Sequence, residues 1–200
     1  RGLMKLNPQA FLAKGHLLSS LPIREALQTL MSRFPNIVTL EDLYTRTGKA
    51  VTIVATEIES GIPTYFDADT PVQYPIVDLL VASACIPLLF EPAPVGDLKY
   101  WDGCMSDPLP IHLYPVAETL VLELRYSNSD VSTFMRFARL CMESTIRTKQ
   151  MFLPDYKTIV LTKPTCSKGS SILDCTDVDK LKMFLSGQQQ LTAFECEARD

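Results

Sequence analysis

The chain has 200 residues, 46% of them hydrophobic and 21% charged, enough to bury one sizeable core but hardly two independent domains. Its formal net charge is -4 and its Lys and Arg residues are scattered, so no basic run follows a phosphate backbone and a nucleic-acid partner is not expected. No stretch reaches the ~18 uninterrupted apolar residues of a membrane span and the first residues lack the apolar core of a signal peptide, so the chain reads as soluble and cytoplasmic.

Leu21 to Phe34 places Ile23, Ala26, Leu27, Leu30 and Met31 on one face, with Pro22 in the first turn, where a missing N–H costs nothing, and this predicts an amphipathic helix. Thr39-Leu40-Glu41-Asp42 resembles a capping box that opens a short helix, and Gly48 can close it. Ala50 to Ile58 is β-branched with little polarity on either face, as expected of a strand buried between layers. Glu59-Ser60-Gly61 then turns it, and Ile62 to Phe66 can pair back antiparallel. Pro75 to Ala84 is nearly continuous apolar sequence and reads as a deeply packed helix. Pro87 and Pro92 argue against regular structure until Tyr100.

Farther on, Thr119 to Arg125 and Thr158 to Thr162 read as short strands, and Asp130 to Met151 as a long helix between them. That helix carries a stripe rich in Met and Phe, which could touch lipid but is more simply packing on a sheet. A polar loop from Thr165 to Ser171 precedes Asp177, which can cap a last helix. Strands alternate with helices, so the α/β layered class is expected.

The six cysteines (Cys85, Cys104, Cys141, Cys166, Cys175 and Cys196) lack the dense spacing of small secreted domains and read as free thiols. No Cys-x-x-Cys pair occurs and His16 and His112 are the two histidines, so no metal site and no cofactor is expected.

Asp102 is the residue that invites chemistry. It stands between the aromatic pair Tyr100-Trp101 and Gly103, at what reads as the exit of a short strand. A carboxylate among bulky apolar groups needs N–H or hydroxyl donors to stay ionised. Gly103 permits a sharp turn and a close backbone approach that would aim the carboxylate into a cleft. On spacing alone, a turn-forming Asp-Gly is the simpler account.

A set of pieces in fixed order changes that weighting. They are Pro22-Ile23-Arg24-Glu25-Ala26-Leu27; Leu40-Glu41-Asp42-Leu43 with Thr47-Gly48-Lys49; and Ile53-Val54-Ala55-Thr56 with Ser60-Gly61. They continue with Thr70-Pro71, then Val81-Ala82-Ser83-Ala84-Cys85-Ile86-Pro87 with Phe90-Glu91-Pro92, and finally Tyr100-Trp101-Asp102-Gly103 followed by Pro108 and Pro110. In this order the chain resembles the second half of the patatin-like phospholipase domain, most strongly over residues 21–113.

The resemblance implies a layered patatin-like α/β fold, related to the α/β-hydrolases, with a central, mostly parallel sheet. It implies a single partial domain over residues 1–200, with residues 114–200 supplying the helices and strands that complete it. It also implies a lipid acyl hydrolase of phospholipase or esterase type, acting in lipid catabolism through a Ser-Asp dyad without histidine. In that chemistry the serine attacks the ester carbonyl while the aspartate takes its proton, giving an acyl-enzyme that water releases. Carried over, Asp102 is the dyad base and Gly103 its supporting turn; the partner is an acyl lipid, with room for a peripheral contact with a membrane surface.

The chain departs from that pattern in two places. The eight glycines, at positions 2, 15, 48, 61, 96, 103, 169 and 187, include no pair four apart, so the nucleophile elbow Gly-x-Ser-x-Gly is absent, as is a glycine-rich oxyanion loop. The chain opens on Arg1, and truncation, with the first strand and the elbow missing, is the simplest expectation. Cys104 also stands where the family usually has Gly or Ala. No other residue reads as a nucleophile: Cys104 and His112 are separated by Pro-rich chain, Ser19 and Ser20 read as helix-capping residues, Ser83 as structural, and Ser170 and Ser171 as solvated. The alternatives are a catalytically incomplete remnant that binds lipid or protein through residues 130–151 or the surface around Phe90, and an α/β domain without lipid chemistry.

Overall fold

The computed structural model describes residues 15–126, 157–163 and 177–197. The chain divides into two units, Arg1–Leu109 and Pro110–Asp200.

In the first unit, helix α1 (Leu21–Met31) has Pro22 in its first turn, and Ile23, Leu27 and Met31 from the predicted apolar stripe pack against the core. Helix α2 (Leu40–Thr47) carries the expected capping box, in which the Thr39 hydroxyl accepts from the Asp42 N–H and the Asp42 carboxylate accepts from the Thr39 N–H. Gly48 closes this helix at φ +68°, a left-handed value that costs glycine nothing.

Strand β1 (Ile53–Glu57) pairs antiparallel with β2 (Pro63–Phe66), Ile53 opposite Phe66 and Thr56 opposite Pro63. The turn between them is held by Glu57, whose carboxylate accepts the N–H groups of Glu59 and Ser60. Helix α3 (Ile76–Ala84) buries Ile76, Leu79, Val81 and Ala82 against the sheet, as expected of its apolar sequence. Its other side meets α1, where Arg24 pairs with Asp78.

The segment after α3 departs from expectation. It contains a hairpin, β3 (Ala93–Val95) and β4 (Leu98–Asp102), despite its prolines. Pro94 is exposed on β3, the edge strand of the order β2-β1-β4-β3, where a missing N–H leaves no ladder bond unmade. The sequence signal was present in Val95-Gly96-Asp97-Leu98, a two-residue Gly-Asp loop between apolar residues, with Gly96 at φ +60°.

Pairings within this four-stranded sheet are all antiparallel, which corrects the expectation of a mostly parallel sheet for this unit. The reason lies in connection length: the tight turns after β1 and β3 can join only antiparallel neighbours. The core gathers Leu40, Ile53, Ala55, Phe66, Leu79, Cys85, Val95 and Tyr100 among others, with Phe66 set edge-on to Tyr100 at 5.5 Å and to Tyr74 at 6.1 Å.

In the second unit, strand β5 (Leu120–Tyr126) pairs in parallel with β6 (Lys157–Lys163), burying Val121 and Ile159. Helix α4 (Asp177–Glu197) packs against β6. The expected helix at 130–151 and the polar loop at 165–171 lie outside the described residues.

Candidate active site

Asp102 ends β4. The register sets it opposite Ala55, on the sheet face that α3 covers, and its N–H donates to the Cys85 carbonyl at the end of α3 at 2.9 Å. Strand, helix end and carboxylate therefore meet at one point. Beyond Asp102 the chain enters a 3-10 turn, Gly103–Met105, and the Cys104 N–H donates back to Asp102 Oδ1 at 2.9 Å. The Cys104 thiol hydrogen-bonds the same carboxylate.

Burial pushes the Asp102 carboxyl above the ordinary carboxylate range, and the two Cys104 bonds offset this only in part. Cys104 is affected more strongly. Burial, the neighbouring Asp102 charge and its bond to that carboxylate push its thiol up to about 12. Such a thiol stays protonated and donates, which removes it as a nucleophile at neutral pH. His112 lies in the other unit.

Gly103 is required for a reason the sequence only half showed. A Cβ placed there would sit 2.3 Å from the Val54 carbonyl oxygen and 2.7 Å from its carbon, so the turn passes against the backbone of β1. The close approach, rather than a left-handed φ, favours glycine here, since any Cβ would force the β1 backbone or the turn to move. Val54 shares a sheet face with Thr56, and the turn covers that face, which explains why β1 is buried on both sides.

Thr56 binds the turn directly. Its hydroxyl donates to the Asp102 carbonyl at 2.8 Å, and with that proton committed, the Ser106 hydroxyl at 2.8 Å is the donor of their mutual bond. At the far end, the Asp107 N–H donates to the Gly103 carbonyl at 2.8 Å, while the Tyr65 hydroxyl donates to Asp107 Oδ2. Sequence reasoning missed Thr56, Tyr65, Ser106 and Asp107, since no spacing rule links β1 and β2 to a turn some fifty residues on. The alternate-face position of Thr56 on a strand read as apolar was the one available sign.

The serines before α1 follow expectation only in part: the Ser19 hydroxyl accepts the N–H of Leu21, the first helical residue, at 3.2 Å. Ser20 occupies the N-cap position without a side-chain cap; its hydroxyl and N–H, with the Ser19 hydroxyl, instead bind Glu91 Oε1 at 2.8 to 3.3 Å. These bonds, that of Ser19 foremost, hold the Glu91 carboxyl below its ordinary range. The Leu18 N–H donates to the Leu89 carbonyl at 2.8 Å, so the segment before α1 is stitched to the loop that follows α3. Phe90 packs partly buried against the core, with Leu88 exposed beside it in the chain. Ser83 is half-buried on α3, while Ser170 and Ser171 lie outside the described residues. Among the described residues no cluster of His, Cys, Asp and Glu is arranged to hold a metal ion.

Comparison with known proteins gives two findings. The sequence profile of the family described as patatin-like phospholipase matches residues 4–114, more than half of the chain. The structure is similar to that of VipD from Legionella pneumophila, with a TM-score of 0.55 and 16% sequence identity over 78% of this chain. An identity that low shows the fold alone, and the chain spans only about a third, 34%, of the VipD chain. No curated protein sequence matches significantly.

Proposed function

From the premise that this chain belongs to the patatin-like phospholipase family, we propose that it carries the acid half of a lipid acyl hydrolase site, with Asp102 as general base toward a serine hydroxyl. No Gly-x-Ser-x-Gly occurs in these 200 residues, so this reading requires a serine supplied by other polypeptide. The observation that carries the reading is the carboxylate of Asp102 at the end of β4, desolvated, held at one oxygen by the Cys104 N–H, and followed by a turn pressed against the β1 backbone at Gly103.

A free carboxylate of ordinary pKa, about 3.9, is a weak base for an alcohol. Raising that pKa moves the group toward the operating pH and improves it as a proton acceptor. The two bonds from Cys104 take two of about four lone-pair positions of the carboxylate, which leaves positions for a serine hydroxyl. As the serine oxygen forms its bond to the ester carbonyl, its proton passes to Asp102, and the same carboxyl returns a proton to the departing alcohol. Water then attacks the acyl-serine with Asp102 again as base. The substrate class is an acyl lipid ester.

Hydrolysis of a short-chain p-nitrophenyl ester tests this, using a polypeptide in which a Gly-x-Ser-x-Gly half precedes the chain. Asp102→Asn is expected to lower kcat by at least about a hundredfold, the scale of a lost general base. Full activity of that variant would remove Asp102 from the mechanism.

A second reading, a domain that binds lipid or protein without catalysis, is favoured by the missing elbow and by the exposed Val178, Leu181, Phe184 and Leu185 of α4. No helix among the described residues is long and apolar enough to cross a membrane.

A further inference from the structure

Asp107 is only 2% exposed, yet the dyad chemistry gives it no task. A carboxylate so deeply buried is costly unless its oxygens are satisfied, and its placement calls for a reason. Its bonds supply one. Tyr65 donates to Oδ2, and the backbone N–H of Asp107 closes the turn on the Gly103 carbonyl.

The register sets Tyr65 opposite Val54, so Tyr65, Val54 and Thr56 share the face over which residues 103–107 lie. The turn is therefore fastened at three places: against Val54 at Gly103, to Thr56 through Ser106, and to Tyr65 through Asp107. Two of these fastenings use β1, while Tyr65 is the tie to β2. Because the Cys104 N–H of this same turn holds Asp102 Oδ1, any change in the path of the turn is passed to the carboxylate.

We propose that Asp107, gripped by Tyr65, is a positioning residue that fixes the 103–107 turn and through it the direction of the Asp102 carboxylate; the proposal rests on the reading of Asp102 as the base. Burial and the Asp107 carboxylate push the Tyr65 hydroxyl up to about 12, so it remains a donor at any working pH. The arrangement is a fixed clamp rather than a switch.

Two measurements test it. The Asp102 titration is followed by carboxyl carbon NMR in the 200-residue chain, and ester hydrolysis in the polypeptide completed with the serine half. Tyr65→Phe removes the grip with little loss of volume; it is expected to let water reach Asp102, move its midpoint down toward the ordinary carboxylate value, and lower kcat about tenfold at unchanged KM. Asp107→Ala behaves alike, while Asp107→Asn, whose amide oxygen still accepts from Tyr65, loses less.

A Tyr65→Phe protein that unfolds cooperatively at the wild-type temperature with an unmoved Asp102 midpoint overturns the proposal. Since that midpoint is read without any hydrolysis, failure of the base assignment is told apart: Asp102→Asn would then retain full activity while Tyr65→Phe still shifted the titration.

Discussion

Asp102 and Gly103 constrain each other. The glycine lets the chain pass within contact of Val54, and that passage places the Cys104 N–H where it holds the carboxylate. Gly103→Ala forces the Val54 carbonyl or the turn to move, and overpacking of this kind is expected to cost about 2 kcal/mol, measured as a lower urea midpoint. Asp102 pulls the other way. Its folded pKa lies above the unfolded value, so between those two values the folded chain binds more protons and stability falls as pH rises. Asp102→Asn is accordingly expected to raise the thermal midpoint by a few degrees at pH 7 and to leave it nearly unchanged near pH 3. A carboxylate kept against stability fits a group retained for function. Cys104 offers an independent probe, because Asp102→Asn removes the charge that helps hold its thiol protonated. Peptide mass spectrometry should then show alkylation of Cys104 at pH 8 accelerated several-fold.

Among the elements, those governed by local chemistry follow the sequence closely. The α2 capping box is formed by the residues that spell it, and Thr39→Ala is expected to cost about 1 kcal/mol of stability in thermal or urea unfolding. Helix α3 was legible because a nearly uninterrupted apolar run bounded by Pro75 has to be buried. The β3–β4 hairpin was hidden because Pro87 and Pro92 read as breakers, although an edge strand tolerates a proline such as Pro94. Ser20 was misread for a related reason, whereas Ser19 does accept the first helical N–H. A serine before a helix usually caps it, but here a carboxylate some seventy residues away accepts both hydroxyls.

At the scale of the whole molecule, the core residues and strand pairings that place Asp102 all fall within the unit Arg1–Leu109. The family match ends only a few residues past that boundary, at residue 114. Removing residues 110–200 is therefore expected to leave the amides of β1 and β4 protected in hydrogen exchange, because their ladder partners remain. The net charge of -4 gives no electrostatic pull toward anionic lipid, so any binding to vesicles should be insensitive to salt and should depend on apolar side chains.

The sequence by itself determined the family, the α/β class, the helices with caps or continuous apolar runs, and the pairing of an aspartate with a glycine at one strand exit. Each of these is written in residues close together along the chain, in periodicity, or in an ordered series of motifs. Only the tertiary structure decided what holds that aspartate in place: the Val54 backbone against Gly103, the Thr56 and Ser106 hydroxyls, and the grip of Tyr65 on Asp107. These contacts join residues some forty to fifty positions apart, brought together by the antiparallel register of β1 with β2 and β4, and no local propensity encodes such a register.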